Sequence, residues 1–271
     1  MHEKKYPVVL NPNDPRFLTL RSLQTAQHRL RTGLYLIEGV RHLARAIEHR
    51  APIQSVFLEP SVLVNPLGRK LADRLRMCGI PGVRLSGPLY RQITRAAEPQ
   101  GIGAVARQRW TPLSVLQVTR SSFWLALESV ESPGNLGTTL RTAEAVGVDG
   151  VFLLGSDCDP HDPAAVRASM GSLFSQKLIA CSSREFSDWA RSKQVAIVGS
   201  SPKGLLDFRG IRYRWPAALL LGSEKRGLSD QLEEVSDYIV RIPMRGDCDS
   251  INVSVAAGVL LFEMSSQRPQ T

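Results

Sequence analysis

The chain has 271 residues, of which 43% are hydrophobic and 22% are charged, and its formal net charge is +9. No apolar run reaches the ~18 residues of a membrane span, the amino-terminal residues do not resemble a signal peptide, and four dispersed cysteines form no C-x-x-C pair. These features argue against a membrane protein, a disulfide framework and a zinc cluster, and they predict a cytoplasmic, metal-free globular protein of two domains.

The apolar periodicity of residues 14–97 predicts a small α/β domain, in which helices alternate with short strands. Gly33 is expected to end the first helix, and Pro66 suits the start of the third. The predicted helices are residues 14–31, 38–50, 67–77 and 89–97. The predicted strands are residues 34–37, 53–58 and 83–85.

The first part of the chain also carries all of the excess positive charge. Residues 1–110 contain 18 Lys and Arg against 7 Asp and Glu, whereas residues 111–271 contain 16 against 18. A field of one sign concentrates a polyanion, and the planar guanidinium of arginine donates two parallel hydrogen bonds to phosphate. The pattern therefore favours a polyanion-binding surface on residues 1–110. A solvated basic surface that serves solubility is the alternative.

A linker is predicted at residues 111–120, which contain Pro112 and little apolar periodicity. Beyond it, apolar runs typical of buried strands alternate with helical patterns, and a long helix is expected at residues 252–264. Continuous apolar strands of this kind predict a mostly parallel sheet that is covered on both faces. The predicted strands are residues 123–127, 150–154, 195–198, 217–221 and 238–242.

Three segments of the second part place glycine and small polar residues at the ends of predicted strands. They are Ser-Pro-Gly-Asn-Leu-Gly-Thr-Thr-Leu-Arg-Thr-Ala (132–143), Leu-Leu-Leu-Gly-Ser-Glu-Lys-Arg-Gly-Leu (219–228) and Ile-Pro-Met-Arg-Gly-Asp-Cys-Asp-Ser-Ile-Asn-Val-Ser (242–254). The chain lacks both the G-x-G-x-x-G dinucleotide motif after its strands and the G-x-x-x-x-G-K-[ST] phosphate loop. A dinucleotide dehydrogenase and a nucleoside-triphosphate enzyme are therefore disfavoured.

In their order and residues these segments resemble the motifs of the SpoU (TrmH-type) RNA 2′-O-ribose methyltransferases of the SPOUT superfamily. The phrase Tyr-Leu-Ile-Glu-Gly-Val-Arg (35–41) resembles the start of the substrate-binding domain of many such enzymes, which is similar to the kink-turn RNA-binding fold of ribosomal proteins. The resemblance implies a homodimer with an RNA-binding domain at 1–110 and a catalytic domain at 121–271. The latter is expected to have a mostly parallel sheet and a deep trefoil knot.

The resemblance also implies S-adenosylmethionine as the methyl donor. Backbone groups at strand ends can contact an adenine edge without side chains. The positions that match the family's cofactor site are Ser200, Gly222, Ile242, Ser250, Ile251 and Asn252. For any one of them alone, ordinary turn chemistry is the alternative.

Arg141 is the residue that we expect to act in catalysis. It closes the family pattern N-x-G-x-x-x-R, present here as Asn135, Gly137 and Arg141, and Asn135 is a plausible helix N-cap. A ribose 2′-hydroxyl is a poor nucleophile, and a guanidinium can stabilise the charge that develops on its oxygen. A phosphate-binding or structural arginine is the alternative. The other expected catalytic residues are Asn135, Glu224, Ser250 and Asn252.

The expected RNA-binding residues are Arg16, Arg21, Arg41, Arg167, Lys225 and Arg226. Arg167 belongs to a further segment, residues 166–172, that resembles the family between its first and second motifs. Lys225 and Arg226 depart from the small or acidic residues common there, which suggests phosphate contact. Glu224 is expected to orient Arg141 or the attacking hydroxyl, or alternatively to serve the start of the next helix.

Large-subunit ribosomal RNA is the expected substrate, because the transfer-RNA enzymes of the family usually lack the front domain. A transfer-RNA methyltransferase is one alternative. A non-catalytic RNA-binding or ribosome-assembly protein is another, although intact Asn135, Arg141, Glu224 and Asn252 argue against it. The layout also permits a methyltransferase that confers antibiotic resistance.

Overall fold

The computed structural model describes residues 6–155 and 158–270, and these residues form two compact units. The first unit extends to Gln108 and also includes Pro160–Phe174. The second unit consists of Arg109–Asp159 and of the chain from Ser175 onward. Residues 160–174 thus group with the first unit, although their place in the sequence is between two strands of the second.

The described residues alternate between helices and strands. In chain order the helices are α1 (Pro15–Ser22), α2 (Ala26–Thr32), α3 (Val40–Glu48), α4 (Pro66–Met77), α5 (Gly87–Ile93), α6 (Pro133–Ala145), α7 (Pro163–Ala168), α8 (Ser183–Ser192), α9 (Asp230–Glu234) and α10 (Val253–Ser266). The strands are β1 (Val8–Val9), β2 (Leu34–Glu38), β3 (Ile53–Leu58), β4 (Gly82–Leu85), β5 (Ile102–Arg107), β6 (Phe123–Glu128), β7 (Gly150–Leu154), β8 (Leu178–Cys181), β9 (Ala196–Ser200), β10 (Leu206–Asp207), β11 (Ala217–Leu221) and β12 (Tyr238–Arg241). No helix of the described ranges is long and apolar enough to cross a membrane.

The first unit contains a mixed sheet in the order β1-β4-β3-β5-β2. Strands β1, β4 and β3 are parallel, whereas β5 runs antiparallel to β3 and β2. Strand β5 was not predicted, because its glycine and alanines give a weak strand pattern. Gly103 is nevertheless required there, since a Cβ at this position would lie 2.2 Å from the ring of Phe57.

Two predicted helices of the first unit are wrong in extent. The helix expected at residues 14–31 is divided into α1 and α2, because Thr25 is extended (ψ 137°) and Gln24 donates to the carbonyl of Ile93 at 2.6 Å. The helix expected at residues 89–97 ends at Ile93, since Thr94 is extended and its hydroxyl donates to Glu38. In both cases a tertiary hydrogen bond ends the helix. Gly33, at φ +64°, ends α2 as predicted.

The second unit is built on a parallel sheet in the order β10-β12-β9-β11-β6-β7-β8. The expected mostly parallel α/β fold is confirmed, and the strands predicted at 150–154 and 217–221 match β7 and β11 to the residue. Aromatic side chains dominate the core on one face, where Trp124 packs edge-on against Phe152 and Trp189. Strands β8 and β10 were not predicted. The trefoil knot stays a prediction.

Arg268 fixes the end of the last helix, α10, to the start of the sheet. Its guanidinium donates to the carbonyls of Ser121 and Gly147, both at 2.7 Å, and to the carboxylate of Asp149 at 3.0 Å. The same carboxylate oxygen accepts a hydrogen bond from the backbone N–H of Phe123 at 2.7 Å. One arginine therefore joins the carboxyl end of the chain to the segments that precede β6 and β7.

Replacing Arg268 by alanine is expected to lower the free energy of unfolding by about 1.5–3 kcal/mol, because hydrogen bonds from a charged donor are lost. Urea denaturation followed by tryptophan fluorescence measures the change. Arg184→Ala is the control: this exposed guanidinium lies 3.8 Å from Asp188, and its loss should cost about 0.5 kcal/mol at most. Equal effects of the two substitutions would contradict the role of Arg268.

Candidate active site

The site lies where four neighbouring parallel strands, β12, β9, β11 and β6, end. Their carboxyl ends meet at one edge of the sheet, which is the edge where ligands bind in open α/β folds. A cavity of about 720 Å³ opens there, between the segments that follow β9, β11 and β12. All six residues expected to hold the cofactor line it: Ser200, Gly222, Ile242, Ser250, Ile251 and Asn252. A second cavity of about 550 Å³, near Trp215 and Pro216, lies at the amino-terminal ends of β9 and β11, away from these residues.

Gly222 starts a tight turn after β11 that forms one wall of the cavity. Ser223 and Gly227 exchange two backbone hydrogen bonds, each of 3.0 Å, and Gly227 has a φ of +70°. A Cβ on Gly222 would lie 2.1 Å from the carbonyl group of Gly227. Only glycine therefore allows the two backbone segments to approach so closely.

The carboxylate of Glu224, in the same turn, links the three motifs. Its Oε1 accepts a hydrogen bond from the Asn135 amide Nδ2 at 2.9 Å, and its Oε2 accepts one from the backbone N–H of Glu131 at 3.2 Å. The amide oxygen of Asn135 accepts in turn from the Nδ2 of Asn252 at 3.0 Å. Partial burial raises the pKa of Glu224, but the hydrogen bonds outweigh it and lower this pKa below its usual value. Glu224 is therefore ionised at neutral pH.

The two asparagines in these contacts lie at the amino-terminal ends of helices α6 and α10. Ser132, and not Asn135, is the N-cap of α6: its hydroxyl accepts the backbone N–H of Asn135 at 3.3 Å. The expectation that Asn135 caps the helix is wrong, and its amide is free to bind Glu224 instead. Asn252 does cap its helix, since its Oδ1 accepts the N–H of Ser254 at 2.9 Å at the start of α10.

Arg141 lies apart from these contacts. It is six residues after Asn135, about 9 Å further along α6, and its side chain is exposed. Among the described residues Arg141 has no hydrogen-bond or ion-pair partner, and it does not line the cavity. The structure therefore brings Asn135, Glu224 and Asn252 together, but not Arg141.

Basic side chains stand at the mouth of the cavity. Lys225 and Arg226 line it, as does Lys203, which the sequence analysis missed. Lys225 forms an ion pair with Glu131 at 2.7 Å, and this contact raises the pKa of the lysine. Lys203 follows the end of β9 by three residues, and its position after a strand was the only available signal.

The remaining expected RNA-binding arginines belong to the first unit. Arg21 lies over the ring of Phe17, and Arg41 is exposed at the start of α3. Arg167, on α7, is also exposed and donates to the carbonyl of Arg95 at 3.1 Å. Arg16, in contrast, is committed to its own helix cap.

The cap contact of Arg16 is bidentate. Its guanidinium donates to both carboxylate oxygens of Asp14, at 2.9 and 2.6 Å, and this contact lowers the pKa of Asp14 to about 2. A phosphate would have to compete with that carboxylate. Arg16 is therefore the least available of the four arginines.

No group of three or more potential ligands arranged to hold a metal ion occurs among residues 6–155 and 158–270. His161, which precedes the 166–172 segment, is buried in the first unit against Tyr35, with ring centroids 4.6 Å apart. Burial, with a smaller contribution from Arg29, lowers the pKa of His161 to about 3. This histidine is a neutral packing residue.

The composition of the cavity fits S-adenosylmethionine. Leu221, Ile242 and Ile251 form an apolar wall suited to a planar adenine, and the hydroxyls of Ser200 and Ser250 suit a ribose. The volume of about 720 Å³ lies within the ~300–1,000 Å³ typical of small-molecule sites. The Gly222 turn brings backbone N–H and C=O groups to the same wall.

Comparison with known proteins identifies the family of the chain. The model of the SpoU rRNA Methylase family matches residues 122–262, and that of the MRM3-like substrate binding domain matches residues 14–104. A 23S rRNA (uridine(2479)-2′-O)-methyltransferase from Streptomyces viridochromogenes is 31% identical, over 89% of this chain and 85% of its own. A 23S rRNA (guanosine(2553)-2′-O)-methyltransferase from Bacillus subtilis is 27% identical, over 90% of this chain and 93% of its own. The AdoMet-bound rRNA methyltransferase from Sinorhizobium meliloti superposes with a TM-score of 0.87 at 30% identity, covering 98% of this chain and 99% of its own.

Fold, cavity and relatives together define an S-adenosylmethionine-dependent RNA 2′-O-ribose methyltransferase. The family model matches more than half of the chain. The chain belongs to the SpoU rRNA Methylase family. Its first unit contains the residues that match the MRM3-like substrate binding domain.

Substituting Gly222 by alanine is expected to weaken S-adenosylmethionine binding about tenfold or more, because the added Cβ forces the turn that lines the cavity to open. Isothermal titration calorimetry on the full-length protein measures the affinity. Gly246→Ala, in the segment after β12, is the control, since a Cβ there meets nothing within 4 Å. A Gly222→Ala variant that binds the cofactor as tightly as the control would refute the assignment of this wall.

Proposed function

We propose that the protein transfers the methyl group of S-adenosylmethionine to a ribose 2′-hydroxyl of large-subunit ribosomal RNA. The contact from Glu224 through Asn135 to Asn252, at the mouth of the cavity, carries this proposal, because it joins all three motifs in one site. The two relatives named above, each similar over most of its length, act on 23S rRNA, which supports a ribosomal substrate. An ordered site of this kind also argues against a purely structural RNA-binding protein.

The residues around the cavity have separate tasks. Ser200, Gly222, Ile242 and Ile251 would hold the cofactor, which supplies an electrophilic methyl group when it is bound. Asn252 lies at the boundary between the cavity and the Glu224 contacts. Its amide can therefore orient the attacking hydroxyl while the carboxylate of Glu224 keeps the asparagines in place.

The chemical difficulty is the 2′-hydroxyl. When the 2′-oxygen takes up the methyl group, the bond between the methyl carbon and the cofactor sulfur would break and the hydroxyl proton would pass to solvent water. Negative charge would develop on the oxygen before the new bond is complete. The guanidinium of Arg141 can stabilise that charge with directional donors. Its very high pKa makes it a poor proton acceptor, so we assign to Arg141 the stabilisation of charge.

We propose that Arg141 serves the site of a second subunit. It does not reach the contacts of Glu224 within its own chain, yet it is exposed and has no competing partner among the described residues. It lies on α6, which packs against α10. Helix α10 has one charged residue, Glu263, and leaves Val255 and Phe262 53% and 59% exposed. An apolar helix surface of this kind suits burial against a second copy of the chain, and we propose a homodimer.

The first unit would dock the RNA. Its excess of positive charge and its exposed arginines suit phosphate contacts that are independent of base sequence. The relatives above modify a uridine in one case and a guanosine in the other. The docking contacts, and not the methyl-transfer site, would therefore choose the nucleotide. We also propose a cytoplasmic location.

The proposed activity is tested with the purified full-length protein, labelled S-adenosylmethionine and deproteinised 23S rRNA that lacks 2′-O-methylation. We expect label in the rRNA at a single nucleotide, resistant to alkaline cleavage at that position because the 2′-oxygen is blocked. Transfer RNA from the same cells is the control and should remain unlabelled. Label in transfer RNA alone would overturn the ribosomal assignment, and label in neither RNA would overturn the proposed activity.

Arg141→Ala is expected to lower the single-turnover methylation rate by ~10²-fold or more while leaving cofactor affinity and thermal stability unchanged, since its side chain has no hydrogen-bond or ion-pair partner among the described residues. Arg141→Lys should restore little activity, because an ammonium lacks the planar fork of donors. A wild-type rate for Arg141→Ala would show that this arginine is not catalytic.

Mixed dimers test whether Arg141 acts across the subunit interface. In a heterodimer of one Arg141→Ala subunit and one Gly222→Ala subunit, the first subunit keeps an intact cavity and the second keeps an intact arginine. If the arginine acts on its partner, this mixture regains activity at one of the two sites of each heterodimer, although both homodimers are impaired. No recovery would place Arg141 in the site of its own chain.

A further inference from the structure

The first unit contains a smaller cavity that neither the cofactor nor the methyl-transfer site explains. Its volume is about 260 Å³, and it opens between the end of β2, the segment after α5 and helix α7. Its inner wall is apolar and buried, made of Leu36, Phe57, Ile93 and Val166. All of its lining residues belong to the first unit.

Polar groups converge on the rim of this cavity. The carboxylate of Glu38 accepts hydrogen bonds from the hydroxyl of Thr94 and from the backbone N–H of Arg95 at 3.2 Å. These contacts fix its direction, and each carboxylate oxygen still has a lone pair for another donor. Gln100 accepts the N–H of Val40 through Oε1 at 2.7 Å, which leaves its Nε2 to donate to a ligand.

Cationic side chains occupy the mouth. Arg41 and Arg167 both line the cavity and both are exposed, and Arg167 is held in place by its hydrogen bond to the Arg95 carbonyl. Glu98 is an acidic residue on the same rim. The arrangement, from inside to outside, is an apolar wall, a fixed acceptor and a donor, and then two guanidiniums.

We propose that this cavity binds one unstacked nucleobase of the RNA substrate. An apolar slot receives the faces of a planar base, while the carboxylate of Glu38 and the amide of Gln100 meet the donors and acceptors on its edge. The guanidiniums of Arg41 and Arg167 can contact the flanking phosphates or stack on the neighbouring base. The proposal rests on the RNA substrate of the proposed function and adds a base-reading site in the docking unit.

Size and charge favour this ligand over others. The cavity lies below the ~300–1,000 Å³ of ordinary small-molecule sites, so it suits a single base better than a whole cofactor. The carboxylate of Glu38 disfavours an anionic metabolite inside, and the arginines outside favour a base that belongs to a polyanion. A base with an exposed amino group, such as guanine, adenine or cytosine, can donate to Glu38.

Adjacent alanines provide a matched pair of variants. Ala96 lines the cavity, whereas Ala97 is exposed next to it and does not line it. We expect Ala96→Trp to weaken binding of full-length protein to deproteinised 23S rRNA about tenfold, because the indole occupies the place of the base. Ala97→Trp should change the affinity by about twofold at most. Both variants should keep the circular dichroism spectrum and the thermal midpoint of the wild type, which shows that the substituted first unit is folded.

Photocrosslinking tests the wild-type protein directly, without dependence on a substitution. Three 23S rRNA transcripts, which carry 6-thioguanosine, 8-azidoadenosine or 5-iodocytidine, are irradiated in the complex, and mass spectrometry locates the linked peptides. We expect links within residues 36–42, 93–100 or 163–170, and their loss in Ala96→Trp but not in Ala97→Trp. Absence of links in these segments, or equal rRNA binding by the two tryptophan variants, would overturn the base-binding proposal while the methyl-transfer assay still succeeds.

Free guanine, adenine and cytosine, titrated into wild-type protein by calorimetry, test whether the cavity serves a free metabolite. Binding of a free base, together with wild-type rRNA affinity of Ala96→Trp, would assign the cavity to a small molecule and reject its role in RNA recognition. Failure of wild-type protein both to bind and to methylate rRNA would instead contradict the proposed function itself.

Discussion

The carboxylate of Glu224 determines the arrangement of the methyl-transfer site. It accepts hydrogen bonds from the segment that precedes α6 and from the Asn135 amide, which in turn binds Asn252 at the start of α10. These contacts are exposed to solvent, so each hydrogen bond contributes about 0.5–1.5 kcal/mol, the typical net value. The conformations of the three loops are therefore coupled, and a change at one loop alters the wall of the cofactor cavity formed by the others.

The parallel sheet makes this coupling possible. Because β12, β9, β11 and β6 are neighbours with the same direction, the segments that follow them all emerge at one edge. Strands β9, β11 and β6 are almost entirely buried and hold those segments in place, and Arg268 secures the last helix at the amino-terminal ends of the strands. The rigid part of the second unit thus lies behind the site, whereas the chemistry lies on its loops.

In the first unit, a buried arginine binds a segment, residues 160–174, that is distant in sequence from the rest of the unit. Arg29 is only 2% exposed, and its guanidinium donates to the Leu23 carbonyl at 2.9 Å and to the carboxylate of Asp162 at 2.9 Å. Removing either partner would leave an uncompensated buried charge, which is costly. This ion pair brings residues 160–174 against α2 and β2, and so supplies the α7 wall of the proposed base-binding cavity. The arginines that we propose to contact RNA thus include Arg167, from outside residues 1–110.

The sequence by itself determined the class of fold and the segments of the site. Continuous apolar runs predicted the bounds of β7 and β11 to the residue, because a strand that is buried on both faces has apolar residues at every position. The six positions that the resemblance to the SpoU family pointed to as cofactor-binding all line the cavity at the carboxyl edge of the sheet. Strand β5 was missed because it contains Gly103, a residue that weakens a strand pattern. The close approach of the Phe57 ring requires glycine there, and a contact between distant residues leaves no signal in the local sequence pattern. Only the tertiary structure decided that Asn135 binds Glu224 and that residues 160–174 belong to the first unit. Each of these depends on a hydrogen bond, an ion pair or an approach between residues far apart in the chain, and the energy of such contacts has no signature in local periodicity.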